Sequence, residues 1–177
     1  NIFPMNVLVI YSHTYHSQSH AGKAILEVLE AQPGITVRKL EELYPDNRPI
    51  DVAAEQAALV AADVIVFQHP LFWFATPALM KRYMDEVFQY GFAYGADSFK
   101  LAGKKFVHSY TTGAAAEVYT GGLHQNAEAA LIATAAFCRM EYAGAFPLYG
   151  QLALENPNVA AEAKAHAERL VELLKTL

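Results

Sequence analysis

Apolar residues recur along this chain in two alternating rhythms, and the alternation predicts the architecture. Met5 to Tyr11 is an apolar run of strand length, and from Ser19 to Ala31 the residues Ile25, Leu26, Val28 and Leu29 return at helical spacing. Pro33 and Gly34 close that helix before a second strand from Thr36 to Leu40. Asp51 is a capping residue type at the head of a helix through Ala62. Val64 to Phe67 is β-branched and apolar, as in strands buried on both faces, and Pro70 lacks the N–H of a ladder, so this strand is expected to end near His69. Thr76 as N-cap and Pro77 as first helical residue start the next helix, on which Leu79, Met80, Tyr83, Met84, Val87 and Phe88 share one face. A strand from Lys105 to Tyr110, a helix from about Asn126 to Arg139 and a strand from Tyr142 to Leu148 follow. Asn156 and Pro157 open a last amphipathic helix that ends near Leu174.

Strands alternating with helices, without repeats or low-complexity linkers, imply a parallel sheet covered on both faces. The strand order 2-1-3-4-5 is expected, which gathers the loops after strands one, three and four around one crevice at the carboxyl ends. The chain has 177 residues, 54% hydrophobic and 18% charged, a size that suits one well-buried core over residues 5–177 rather than two domains. Asn1 to Pro4, ahead of Met5, are set aside as an appended remnant.

Charge narrows the function. A net charge of −5 with scattered lysines and arginines leaves no basic footprint for nucleic acid, so an anionic ligand has to be held by local donors. Cys138 stands alone in the apolar run from Ala135 and reads as a buried thiol without a disulfide partner. No apolar stretch approaches the roughly 20 residues of a membrane span. No basic-then-apolar leader precedes the first strand, so the cytoplasm is the expected compartment.

Three loops carry candidate chemistry. Ser17 and Ser19 precede a helix whose N-terminal N–H groups suit a phosphate, with their hydroxyls as added donors. His13, His16 and His20 also raise a metal site, since His16 and His20 share a helical face, but no Cys or nearby carboxylate completes a shell and no metal is expected. Leu71, Phe72, Trp73 and Phe74 make an aromatic turn after the third strand, suited either to a flat ligand or to burial against a helix or a partner subunit. Thr111, Thr112, Gly113 and Ala114 end the fourth strand and, taken alone, read as an ordinary strand-ending turn.

Together these loops resemble one family. Pro70, Leu71, Phe72, Trp73 and Phe74, followed by Pro77 to Lys81 and Asp85 to Phe88, are similar to the signature of the flavodoxin-like NAD(P)H:quinone oxidoreductases. That family includes the modulator-of-drug-activity proteins and the ancillary subunits of glutathione-gated potassium efflux systems. Tyr110 to Ala114 resembles its Thr-Thr-Gly-Gly loop, with Ala114 in place of the second glycine, and Ser12 to Ala21 resembles its phosphate turn, with Gly22 where Asn is common. The resemblance implies a flavodoxin-like three-layer sandwich holding FMN, or FAD with its adenine across a dimer. His13, Ser17, Ser19, His20 and Ala21 would lie at the phosphate, and Pro70 to Phe74 with Thr111 to Ala114 at the ring.

It further implies a two-electron ping-pong cycle in which NAD(P)H delivers hydride to the flavin, leaves, and is replaced by a quinone. Tyr119 and His124 are the candidates to compensate charge at the reduced ring, His124 standing one residue earlier than in the family pattern and reading equally as a surface histidine near a helix start. Trp73 and Phe74 would shape the substrate pocket, and Phe92 and Tyr94, in the Gly91 to Gly95 segment, would cover it from the partner of a homodimer. The other implied reading is an ancillary subunit at the inner membrane face, bound to a potassium efflux antiporter and using the same body as a docking surface.

Overall fold

The computed structural model describes residues 3–177. Its strands β1 (Val7–Tyr11), β2 (Ile35–Lys39), β3 (Val64–Pro70), β4 (Lys105–Thr111) and β5 (Glu141–Leu148) form one parallel sheet in the order β2-β1-β3-β4-β5. Every strand is followed by helix, which is why the sheet is parallel: a crossover returns each strand in the same direction. The helices are α1 (His20–Glu30), α2 (Leu40–Leu43), α3 (Val52–Ala61), α4 (Ala78–Val87), α5 (Leu123–Phe137) and α6 (Val159–Leu174). α2, a single turn that sequence spacing did not reveal, runs straight on from β2.

Two cores flank the sheet. On one side Val7, Val9, Val64, Val66 and Val107 pack on Ile25 and Leu29 of α1 and on Ala163, Ala167 and Leu170 of α6. On the other, Leu8, Ile10, Ile65, Phe67 and Phe106 meet Leu59 of α3, Met80 and Tyr83 of α4 and Leu131 of α5. Successive strand residues alternate between the two, so β1 and β3 are buried throughout. Phe3 also packs in the first core and belongs to the fold, whereas Asn1 and Ile2 lie outside the described residues.

Several boundaries depart from expectation for identifiable reasons. β3 continues through Pro70, which pairs in register with Thr111. Leu71 N–H donates to the Thr111 carbonyl at 2.8 Å, so alternation turns the Pro70 nitrogen toward β1, which has already ended at Tyr11 opposite Gln68. No ladder bond is lost there. α4 starts one residue late, with Pro77 rather than Thr76 at the cap and no side-chain cap bond, because Pro77 itself is extended (ψ 152°). α5 begins at Leu123 instead of Asn126, since Gly121 and Gly122 supply positive φ (85° and 110°) and turn the chain into the helix earlier. Asn156 does not cap α6; its Oδ1 accepts from Asn158 N–H and shapes the turn before it.

Candidate functional site

The loop after β1 is tied down on one face and open on the other. The Glu41 carboxylate, carried by α2, accepts from Ser12 Oγ at 2.9 Å and from His13 N–H at 2.8 Å. Burial raises its pKa, and these two bonds work against that rise. A short 3₁₀ turn at His16–Gln18 leads to Ser19, the N-cap of α1, whose Oγ accepts from Gly22 N–H at 2.8 Å. The Ser19 hydroxyl proton therefore stays available, and the N–H groups of His20 and Ala21, first in the helix, have no partner within it. Tyr11 Oη lies 2.7 Å from His16 Nδ1, and a Cβ at position 22 would stand 2.2 Å from that same hydroxyl. Gly22 is thus required by Tyr11, and no side-chain donor fits in its place.

The aromatic turn is strained. Phe72 and Ala75 exchange both backbone bonds (3.0 and 3.1 Å), and the residues between them, Trp73 and Phe74, both take positive φ (51° and 61°). A two-residue turn of that hand normally carries Asn and Gly; with Trp and Phe it costs on the order of 1–3 kcal/mol per residue. Trp73 is 94% exposed, so its side chain gains no burial to offset that cost. The Phe72 ring meets His13 and Tyr15 edge-on and tilted, at 5.8 and 6.0 Å, joining this turn to the β1 loop.

After β4, Thr112 N–H bonds to the Leu148 carbonyl and the Thr112 carbonyl accepts from Gln151 N–H, at 3.0 and 2.8 Å. Ala114 is not among the positive-φ residues, so the family's second glycine has no backbone reason to be kept here. Gly113 is more telling. Its φ is also ordinary and a Cβ there would meet nothing within 4 Å, so the bare backbone faces open space without any conformational need.

These turns enclose a cleft of about 490 Å³ at the carboxyl end of the sheet, a volume suited to a cofactor. His13, Ser19, His20 and Ala21 line it from the first loop, Pro70, Leu71 and Phe72 from the second, and Thr111, Thr112 and Gly113 from the third. Gln151, Leu152, Ala153 and Leu154 close it from the loop after β5, which sequence reasoning missed. The only signal was two leucines, one of them Leu154 at 95% exposed, in an otherwise polar connection. No Asp, Glu, Lys or Arg is among the residues lining the cleft, and burial lowers the His13 pKa to about 4, so the His13 ring is neutral near pH 7.

The remaining predicted residues lie elsewhere. Ser17 opens onto the far side of its loop, into a hollow of about 290 Å³ shared with Lys39 and Glu41, and its carbonyl accepts from Lys23 Nζ. Phe74 and Tyr94 line a second, apolar groove of about 620 Å³ between α4 and α5, together with Met84, Leu131, Phe137 and Cys138. Phe92 is buried in the core of its own chain rather than presented outward. Tyr119 is buried behind Phe74 (ring centroids 6.1 Å apart) and stacks on Tyr149 at 5.0 Å. His124, in the first turn of α5, points its Nδ1 at the Tyr119 carbonyl, 3.4 Å away. The structure thus brings these two together, though neither lines the cleft. No cluster of three metal-ligating side chains occurs among the described residues, and His16 is engaged by Tyr11.

Comparison with known proteins gives a consistent picture. A family model described as "flavodoxin-like fold" matches residues 5–174. The glutathione-regulated potassium-efflux system ancillary protein KefF of Enterobacter sp. (strain 638) is 38% identical over 173 residues, covering 96% of this chain and 98% of that protein. General stress protein 14 of Treponema denticola, solved in complex with FMN, superposes with a TM-score of 0.85 at 30% identity, covering 97% of this chain and 98% of the other. A chain described as a thermophilic tryptophan halogenase from Streptomycin violaceusniger also gives a TM-score of 0.85, at 34% identity, covering 93% of this chain and 98% of its own.

Proposed function

The chain belongs to the flavodoxin-like fold family matched over residues 5–174, and from that premise we propose that it is an FMN-dependent NAD(P)H:quinone oxidoreductase. The observation that carries this reading is the cleft itself, in which a helix N-terminus with free donors stands at one end and the bare backbone of Gly113 beside the strained aromatic turn at the other. FMN fits this donor set. The N–H groups of His20 and Ala21 and the Ser19 hydroxyl would hold its phosphate, without a lysine. Phe72 and Gly113, which both line the cleft, would flank its ring, and the N–H groups of Trp73 and Phe74, unbonded among the described residues, would be available to a polar edge. An FMN complex of a 30% identical protein supports the choice of cofactor. No residue of the cleft favours a halogenating reading.

Bound there, FMN would supply two-electron chemistry between NAD(P)H and a quinone. The protein's own part is position and charge. His13 and Phe72, in ring contact, hold the first two turns together across the cleft. Tyr119, in ring contact with Tyr149 and Phe74, and His124, hydrogen-bonded to its carbonyl, are the residues we assign to compensate negative charge on reduction. The exposed groove between α4 and α5, with Phe137 65% exposed, is the face we assign to a second copy, which would bring a partner's surface over the ring end of the cleft. Light scattering at micromolar concentration is expected to give a dimer, and Phe137→Glu a monomer.

Titration with FMN, with FAD in parallel, should raise the melting temperature and yield a yellow protein. The same sample should oxidise NADPH in the presence of menadione. A protein that binds neither flavin overturns the reading. The second reading, an ancillary subunit of a potassium efflux system, is favoured by the KefF relatives. Among the described residues no helix is long and apolar enough to cross a membrane, so in that role the chain would reach the membrane through its partner. Flavin binding without any NADPH oxidation would select it, and turnover together with antiporter binding would join the two.

A further inference from the structure

Behind the aromatic turn lies a pair of histidines that the cleft does not use. His69 and His108 come from adjacent strands, and both side chains are buried (1% and 0% exposed). His69 Nδ1 stands 2.7 Å from the carbonyl of Pro70, the residue that leads into the turn. A carbonyl only accepts, so the His69 proton is on Nδ1 and its Nε2 carries a lone pair. That Nε2 lies 2.8 Å from His108 Nε2, which must then be the donor. His108 Nδ1 is left as a buried acceptor with no partner among the described residues. The proton order therefore runs one way, from His108 through His69 to the Pro70 carbonyl. Burial lowers the pKa of His69 to about 4 and of His108 to about 2, which keeps both rings neutral as this order demands. The ring of Tyr110 lies over both, 4.8 Å from His108 and 6.4 Å from His69, and blocks rotation out of the arrangement.

A chain of this kind solves a specific problem. The turn from Phe72 to Ala75 is strained at Trp73 and Phe74; Phe72 meets His13 and Tyr15 and Phe74 meets Tyr119 by ring contact, and the main-chain path into the turn depends on what anchors its entrance. Leu71 N–H on Thr111 supplies one anchor and the Pro70 carbonyl on His69 the other. Were His69 to adopt its other tautomer, a ring lone pair would face the carbonyl oxygen and the second anchor would become repulsive. We propose that His69 is a positioning residue for the aromatic turn, and that His108 selects the tautomer which lets it hold the Pro70 carbonyl. The consequence for flavin binding rests on the reading given above; the effect on the turn does not.

The chain has a single tryptophan, Trp73, and it sits on that turn. Its fluorescence anisotropy in flavin-free protein reports the turn directly, and FMN affinity in the same samples reports the cleft. His69→Asn places an amide donor at the δ position and is expected to keep both readings near wild type. His69→Gln places the amide at the ε position, away from the carbonyl, and is expected to lower the anisotropy and weaken FMN by about tenfold. His108→Gln, which retains an ε donor, should resemble wild type, whereas His108→Leu should resemble His69→Gln. If the Asn and Gln variants behave alike, or the His108 pair does, the histidines merely fill space and the proposal falls. If the anisotropies separate as expected while no variant, wild type included, binds FMN, the positioning role stands and the flavin reading is what fails. Should the variants not fold, 15N spectra of histidine-labelled wild-type protein decide: protonation of His69 at Nδ1 and of His108 at Nε2 is required, and the reverse overturns the proposal.

Discussion

At the scale of single residues, the cleft is best read from positions where a side chain is missing for no structural reason. Gly113 has ordinary φ and open space at its Cβ, so Gly113→Ala is expected to leave the ligand-free stability unchanged within about 0.5 kcal/mol. The same methyl group would stand where a flavin ring is proposed to lie and should weaken FMN by about tenfold or more. Thermal melts with and without FMN check both halves, and unaltered affinity would remove the ring from this turn. Ala114 illustrates what residue identity alone left open. Whether its methyl group matters depended on the sign of φ, and that sign is set by the bonds of Thr112 to Leu148 and Gln151, residues about 40 positions away.

At the scale of elements, local chemistry decided most boundaries and a neighbour decided the exceptions. Ser19 and Asp51 cap their helices through the bonds expected of them, to Gly22 and Ala54. Thr76 does not cap α4, because the extended Pro77 separates it from the first turn. Gly22 offers the sharpest test of neighbour control. Helix propensity alone favours Ala there by about 1 kcal/mol, yet its Cβ would lie 2.2 Å from the Tyr11 hydroxyl and 2.8 Å from Ser19 Oγ. Gly22→Ala is therefore expected to destabilise the protein by about 1–3 kcal/mol in urea denaturation, with part of the loss recovered when Tyr11→Phe removes the nearest atom. A gain in stability from Gly22→Ala would contradict this packing.

At the scale of the whole molecule, buried neutral histidines tie stability to pH. His69 and His166 have pKa values lowered to about 4 and His108 to about 2, burial being the largest cause in each. In the unfolded chain these rings take up protons near pH 6.5, so the unfolded state binds more protons below that point. Folding stability is thus complete above pH 6.5 and falls as pH drops toward 4, by up to about 2 kcal/mol per histidine between pH 6.5 and 5.0. Urea midpoints at pH 7.5 and 5.0 measure the fall, and equal midpoints would mean that the rings are not buried as described. The alternation of Gln68, Ser109 and His166 on one face of the sheet with His69 and His108 on the other places these groups in both cores.

Apolar periodicity in sequence determined the parallel sheet, its strand order and its helix-covered faces, because alternating strand and helix admits few right-handed packings. The second cleft loop was marked by its aromatics, unusual residues for a turn, the first by serines ahead of a helix N-terminus, and the third by its resemblance to the family's Thr-Thr-Gly loop. The fourth loop, the engagement of Tyr11 with His16, the inward burial of Phe92 and the His69–His108 pair were decided by tertiary structure alone. Each depends on which side chains from distant segments arrive at the same point and which proton one donates to the other. Spacing along a chain carries the direction in which a residue faces, and only packing supplies what it meets there.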